Sequence, residues 1–183
     1  MKTSIAKCAG ILCLAFIFCA GGCGYTTRSL LPSNYKTLHV DNFKNSIPVT
    51  AEQNNVRMYR GYRPGMEIEL TKAVIDKFLD DGNLAIHSDK GSDLILIGDM
   101  TDFRREALRY DTNDNVEEYR IKIIVDISLE DVKAGKTVWT EKGFTGETTY
   151  TTSGGLAKTE ASAIKDAIAD LARRVVERTV EAW

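Results

Sequence analysis

The chain of 183 residues has little cysteine, proline and histidine, with four, three and two residues respectively. So few prolines, with 14 glycines, exclude a collagen-like or linker-dominated chain. A zinc site needs about four ligands, and neither His39 nor His87 has a cysteine or carboxylate at ligand spacing. Lysine and arginine together number 24 against 26 aspartates and glutamates. The formal net charge of −2 offers no excess of cations for nucleic-acid phosphates.

The longest apolar run lies near the N-terminus. Two lysines, Lys2 and Lys7, come before a segment from Ala9 to Ala20 that is almost continuously apolar. Two glycines follow this segment. This order of basic, apolar and small residues is typical of a secretory signal, and the apolar part is short for a ~30 Å hydrocarbon core. The pattern predicts a cleaved signal peptide over residues 1–22. An uncleaved N-terminal membrane anchor is the alternative.

Cysteine is absent after residue 23. Three of the four cysteines lie inside the predicted signal, so the mature chain holds Cys23 alone and has no intrachain disulfide. The sequence Ala20-Gly21-Gly22-Cys23 resembles the lipobox of bacterial lipoproteins, although leucine is more usual than Ala20 at its first position. The resemblance implies a lipid on Cys23. Two or three acyl chains anchor a domain stably, whereas one alone is marginal.

Two helices are predicted after the signal. Met66, Leu70, Val74 and Phe78 repeat every four residues, and Gly82 is a typical helix stop. From Leu156 to the end the apolar residues again follow a helical period, and Ser153 is a candidate cap.

Strands are predicted on both sides of the first helix. Apolar residues alternate with polar ones from Tyr119 to Leu129, which is typical of a half-buried antiparallel strand. The continuous apolar stretch Leu94–Ile97 predicts a strand buried on both faces. Residues 42–63 show neither pattern and are predicted as a long loop.

The order β–α–β–β–β–β–α predicts one α+β domain over residues 35–183, behind a tether over residues 23–34. We expect a two-layer sandwich in which two helices pack on one face of a mostly antiparallel sheet of four to five strands. The other face of the sheet is then partly exposed and available to a partner.

No motif indicates catalysis. Ser153 lacks the G-x-S-x-G context, phosphate-binding glycine loops are absent, and the acid pairs Asp80-Asp81 and Glu117-Glu118 lie at turns or ends of elements. The sequence therefore predicts a protein that is not an enzyme, with no catalytic residues, no metal site and no cofactor other than a covalent lipid. A lipoprotein hydrolase would require a serine–histidine or acid pair brought together by the fold.

Basic residues near the predicted hairpin tip are the remaining candidates for binding. Arg104, Arg105 and Arg109 approach this tip, and Lys158 stands at the start of the last helical pattern. Such residues are either solvated surface charges or contacts for anionic groups, since arginine and lysine pair strongly with phosphate.

Several short segments resemble the LptE family of lipopolysaccharide-assembly lipoproteins, in the same order along the chain. The segments are Cys23-Gly24-Tyr25, Val40-Asp41-Asn42-Phe43-Lys44-Asn45, Leu96-Ile97-Gly98-Asp99-Met100, Val116-Glu117-Glu118-Tyr119-Arg120-Ile121, Gly135-Lys136-Thr137-Val138-Trp139 and Leu156-Ala157-Lys158. The resemblance extends along nearly the whole mature chain. At the hairpin tip this chain has acidic and amide residues, Asp111 to Asn115, where the family often has a basic one.

The resemblance implies a lipid-anchored outer-membrane protein that faces the periplasm. It implies a position within the lumen of an LptD-type β-barrel, as plug and assembly partner, with contact to lipopolysaccharide in transit. Lys158 matches a basic position of the family, and Arg109, Arg105 and Arg104 are the other candidate lipopolysaccharide contacts. The alternative is a lipid-anchored scaffold of another cell-envelope complex with no lipopolysaccharide binding.

Overall fold

The computed structural model describes residues 31–49, 53–54, 57–61, 63–89 and 91–181. The predicted signal over residues 1–22, Cys23 and the first part of the tether lie outside these residues. The described residues form eight strands and two helices: β1 (Thr37–Val40), β2 (Lys44–Asn45), β3 (Gln53–Asn54), β4 (Met58–Arg60), α1 (Met66–Asp81), β5 (Ala85–Ile86), β6 (Leu94–Tyr110), β7 (Val116–Asp131), β8 (Lys136–Thr151) and α2 (Glu160–Glu181).

The prediction of an α+β fold with two helices is confirmed, but the predicted sheet of four to five mostly antiparallel strands is wrong in detail. The sheet is mixed and has eight strands in the described residues. β1 pairs in parallel with β5 and β6, and β2 pairs in parallel with β6. The additional strands β2, β3 and β4 lie in the segment predicted as a loop. Two or three residues are too few to show a period of two, so these strands left no sequence signal.

Three long antiparallel strands form the body of the sheet. β6 pairs with β7 along its length, and β7 pairs with β8. Leu94 and Leu96 are buried under the helices, whereas Ile95 and Ile97 are only half-buried on the opposite face. The prediction that this strand is buried on both faces is therefore wrong, because the second face has no covering layer among the described residues.

Both helices pack against one core on the same face of the sheet. α1 buries its predicted stripe and ends at Gly82, whose left-handed backbone (φ 73°) lets its N–H donate to the Phe78 carbonyl. α2 begins at Glu160 rather than at the predicted Leu156. Its cap is the Thr159 hydroxyl, which accepts the Ser162 N–H at 3.2 Å, so the prediction of Ser153 as the cap is wrong.

Two glycines allow close contacts in this core. A Cβ on Gly98 would lie 2.1 Å from the Phe43 ring, and one on Gly146 would lie 2.7 Å from the Leu171 backbone nitrogen. A third glycine has a different role, since Gly143 (φ 66°) forms a bulge opposite Asp126 and donates its N–H to that carboxylate at 2.8 Å.

Candidate functional site

The long strands bring two of the candidate cations to the same end of the sheet. Arg109 on β6 is opposite Glu118 on β7, which is opposite Thr151 at the end of β8. The Thr151 carbonyl accepts the backbone N–H of Lys158 at 3.0 Å. Because neighbouring strands lie about 4.8 Å apart, the Cα atoms of Arg109 and Thr151 are separated by about 10 Å. We call this end, with its β6–β7 turn and the 152–158 loop, the tip.

Lys158 is held in the loop that joins β8 to α2. The Thr151 hydroxyl donates to the Leu156 carbonyl at 3.1 Å, and the Thr152 hydroxyl donates to the Val116 carbonyl at 2.8 Å. These bonds fix the loop against the ends of β7 and β8. The Lys158 side chain is half exposed, and its Nζ lies 2.7 Å from Asp166. Leu156, two residues earlier, is 86 % exposed.

Arg109 is on the other side of the tip and is 57 % exposed. Its Nε lies 3.3 Å from Glu117 and 3.8 Å from Glu118, so it has acidic neighbours at moderate distance. Leu108 and Tyr110 beside it are both exposed. The tip therefore presents two accessible cations together with exposed apolar side chains.

The turn at the tip is held by a single carboxylate. Asp111 accepts the backbone N–H groups of Asn113 and Asn115 at 2.8 Å each, and the Asn115 side-chain amide at 3.0 Å. These bonds lower the pKa of the Asp111 carboxyl, the Asn115 side chain contributing most. The acidic and amide residues of this turn thus have a structural role in shaping the tip.

Arg104 and Arg105 lie on opposite faces of the sheet, since they are adjacent in one strand. Arg104 is on the open face, where its Nε donates to the Asp102 carboxylate at 2.7 Å. Arg60 donates to the other oxygen of the same carboxylate at 2.8 Å. A register shift between Met100 and Asp102 turns Asp102 to this face.

Arg105 is on the helix face and is largely enclosed. Its side chain is 19 % exposed, donates to Glu160 at 2.5 Å, and has its guanidinium carbon 4.9 Å from the centre of the Tyr119 ring. Burial lowers the pKa of Arg105, but the bond to Glu160 and its negative charge outweigh burial, so the net shift of the pKa is upward. Of the four candidate cations, Arg105 is the least accessible.

Glu160 is a residue that the sequence did not identify. It is the first residue of α2 and also pairs with Arg63, whose guanidinium carbon lies 4.8 Å from the centre of the Phe103 ring. One carboxylate thus joins the segment before α1, strand β6 and helix α2, directly after the loop that carries Lys158. Glu160 lies in the first turn of α2, where the helix dipole favours an acid. The sequence pattern placed the start of this helix four residues earlier, at Leu156, and so did not single out Glu160.

The other sequence candidates are not brought together. The His39 ring nitrogen Nδ1 lies 3.0 Å from the His87 carbonyl oxygen, and Ser153 is exposed in the loop beyond β8. Among the described residues, no group of three or more histidines, cysteines, aspartates or glutamates is arranged to hold a metal ion. Neither helix in this part of the chain has the length and apolarity needed to cross a membrane. Cys23 lies outside the described residues.

Comparison with known families identifies the chain. The model of the family described as LptE, lipopolysaccharide-assembly, matches residues 35–179. These residues include all of α1, most of α2 and the whole tip. The chain belongs to the LptE family. This family is a lipopolysaccharide-assembly family rather than a family of enzymes, and it has no cofactor. No curated protein matches the chain.

Several solved structures are similar to this LptE-family chain over most of its length. Protein XCC0632 from Xanthomonas campestris is 18 % identical, with 79 % of this chain and 84 % of that one covered and a TM-score of 0.49. A minor lipoprotein from Acinetobacter baumannii is 16 % identical, with coverage of 79 % and 90 % and a TM-score of 0.47. Rare lipoprotein B from Shewanella oneidensis is 16 % identical, with coverage of 76 % and 91 % and a TM-score of 0.47. Membership of the family rests on the family model alone.

Proposed function

We propose that this protein is an outer-membrane lipoprotein that plugs an LptD-type β-barrel, assists its assembly and contacts lipopolysaccharide on its way to the cell surface. The family match supports a role in lipopolysaccharide assembly. The observation that supports direct contact is the tip, which combines the accessible cations Lys158 and Arg109 with the exposed apolar residues Leu108, Tyr110 and Leu156. An anionic amphiphile such as lipopolysaccharide offers phosphates to the former and acyl chains to the latter.

Accessibility ranks the four proposed contacts. Lys158 and Arg109 are at least half exposed, and each has only solvated carboxylates as partners. Exposed ion pairs of this kind contribute about 0–1 kcal/mol, so a phosphate replaces the carboxylate at little cost. Arg104 is less exposed and shares Asp102 with Arg60. Arg105 can contact a ligand only if its ion pair with Glu160 breaks, so it ranks last in accessibility among the four.

The open face of the sheet supports the plug. Most of its side chains on β7 are polar, namely Arg120, Lys122, Asp126, Ser128 and Glu130, which alternate with the buried apolar residues and are partly exposed. Ile124 on β7, with Ile95 and Ile97 on β6, adds a small apolar area to the same face. The lumen of a large outer-membrane barrel is polar, and a polar sheet face is compatible with such surroundings. The helix layer covers the apolar side of the sheet, so the domain enters a polar lumen with its core closed.

Attachment at Cys23 completes the proposal, with the lipid on the periplasmic side of the outer membrane. We expect Cys23→Ala to give a folded domain that is soluble in the periplasm, because the thiol that receives the lipid is missing. Fractionation in high salt measures this directly. A Cys23→Ala protein that stayed with the membrane under those conditions would exclude lipid anchoring at this residue.

Binding of purified lipopolysaccharide tests the proposed contact. We expect Lys158→Glu and Arg109→Glu each to weaken binding about tenfold or more, because a charge-assisted bond is replaced by repulsion. Lys136→Glu is the matched control, since Lys136 is an exposed lysine at the opposite end of β8. The free energy of unfolding in urea should be within about 1 kcal/mol of the wild-type value for all three variants, because the substituted charges are on the surface. If Lys158→Glu bound like the control, Lys158 would not be part of the site.

A further inference from the structure

Helix α1 has a second apolar stripe besides the one it buries. Met66, Leu70, Val74 and Phe78 enter the core, whereas Ile68 is 70 % exposed and Leu79 is 59 % exposed. Residues seven and eleven positions after Ile68 return to the same side of a helix, and they are Ile75 and Leu79. Ile75 is partly buried and packs against the edge of the core, whereas Ile68 and Leu79 on either side of it are exposed to solvent. Large apolar side chains exposed on one side of a helix mark an interaction surface more often than scattered ones do.

The stripe is one wall of a groove along the flank of the sandwich. The other wall comes from the end of β1 and from β5, the two-residue strand at this edge of the sheet. Two cavities of about 610 and 600 Å³ share Asn42 and Ile75 in their linings and therefore adjoin. We call the combined cavity the flank groove. Its lining includes His39, Phe43, Ile68, Leu79, Ile86 and His87.

The charge of the flank groove is biased towards acids. Asp41 and Glu67 contribute carboxylates to the lining, and Lys72 is the one cation among the lining residues. An occupant that fits this surface is apolar and carries a positive charge. The flank groove lies on the α1 side of the fold, away from the tip, so its occupation leaves Lys158 and Arg109 accessible.

We propose that the flank groove binds the chain's own residues 24–30. Leu31, the first described residue, packs against the core, and the Lys36 carbonyl accepts the Ala85 N–H at 2.8 Å, next to Ile86 of the groove. The chain thus enters the fold beside the groove. Seven residues span up to about 24 Å when extended, while Ile68 to Leu79 spans about 16 Å of helix.

The composition of this segment matches the groove. Its sequence is Gly-Tyr-Thr-Thr-Arg-Ser-Leu, with Tyr25 and Leu30 as apolar side chains and Arg28 as its single charge. Covalent connection raises the effective concentration of the segment to the millimolar range, so a weak docking site is occupied. Docking would hold Cys23 beside α1 instead of at the end of a free tether. This consequence for the lipid rests on the proposed function, whereas the docking itself does not.

Limited trypsin digestion of the mature full-length protein tests the proposal, because trypsin cuts after Arg28. We expect this bond to be cut slowly in the wild type and roughly tenfold faster in Leu79→Glu, since a protease cuts the undocked form. Val132→Glu is the matched control, an exposed apolar residue at the β7–β8 turn. Tyr25→Ser should also accelerate cleavage, and combining it with Leu79→Glu should add little further.

The digestion has clear outcomes against the proposal. Equal rates of cleavage after Arg28 in the wild type, Leu79→Glu and Val132→Glu, whether fast or slow, would overturn it. Protection that disappears on dilution would overturn it as well, because the occupant would then be a second copy of the chain. Urea unfolding of each variant confirms that the rates compare folded proteins. Lipopolysaccharide binding is measured in a separate assay. A negative result in the digestion therefore does not affect the proposed function, and a negative result in the binding assay does not affect the docking.

Discussion

The contact between Gly98 and Phe43 gives a sharp test of the packing. Gly98 lies on the central strand β6, and a Cβ there would be 2.1 Å from Phe43 Cε1, whereas ordinary contact begins at 3.4 Å. The ring would have to move by more than 1 Å. It has little room, because Phe43 is 3 % exposed and its N–H donates to the Thr71 hydroxyl of α1 at 3.0 Å.

We therefore expect Gly98→Ala to lower the free energy of unfolding by about 2–3 kcal/mol, the usual cost of overpacking a core. For a domain of this size that corresponds to a melting temperature lower by about 4–10 °C. Urea unfolding followed by circular dichroism measures the loss. Gly155→Ala is the control, because a Cβ at Gly155 meets nothing within 4 Å, and it should stay within about 0.5 kcal/mol of the wild type.

A second substitution separates the clash from any general effect of alanine in the strand. Phe43→Leu alone should cost about 1–1.5 kcal/mol, but it removes the atoms that Gly98→Ala strikes. The double variant should then be more stable than the sum of the two losses implies, by at least about 1 kcal/mol. Strict additivity, or a Gly98→Ala protein as stable as the wild type, would refute this account of the contact.

Three further predictions concern other parts of the fold. Gly146→Ala should cost about 3 kcal/mol, and Leu171→Ala should not rescue it, because the Cβ would strike the backbone of α2; rescue in urea unfolding would contradict this. Asp93→Asn should destabilise the protein by about 1–2 kcal/mol at pH 7. The Asp93 carboxylate accepts hydrogen bonds from the Lys133 ammonium and from the Lys36 and Thr37 backbone N–H groups, and these bonds hold its pKa below the ordinary value. A lowered carboxyl pKa stabilises above about pH 4, and the stabilisation is lost as the pH falls below it, so the difference from the wild type should shrink there; a constant difference would contradict it. Glu160→Gln should cost about 1–3 kcal/mol, because two arginines lose their shared anion, and wild-type stability would exclude that role.

The larger elements were predictable because each has a long periodic pattern. The four-residue repeat from Met66 to Phe78 and the alternation from Tyr119 to Leu129 each specify one buried face, so α1 and β7 followed from the sequence. The mixed pairing of the sheet could not be predicted from the sequence. Parallel pairing of β1 with β5 and β6 is a tertiary contact, and the strands within residues 42–63 are too short to show a period.

The candidate site was predictable only in part, for a similar reason. Lys158 and Arg109 are 49 residues apart in sequence, and the register of β6, β7 and β8 is what brings them to one end of the sheet. Arg104 and Arg105 looked equivalent, yet alternation in β6 puts one on the open face and the other against Glu160. The partner of a charged side chain is set by tertiary contacts, which composition does not encode.

Isolation of the protein with its partner tests the central claim most directly. A C-terminal tag, extraction of outer membranes in mild detergent and mass spectrometry would identify what co-purifies and in what ratio. The account predicts one large β-barrel of the LptD type at close to one copy per copy of this chain, retained in high salt. Recovery of no barrel, or of a different envelope complex in its place, would contradict the plug and favour a lipid-anchored scaffold of that other complex.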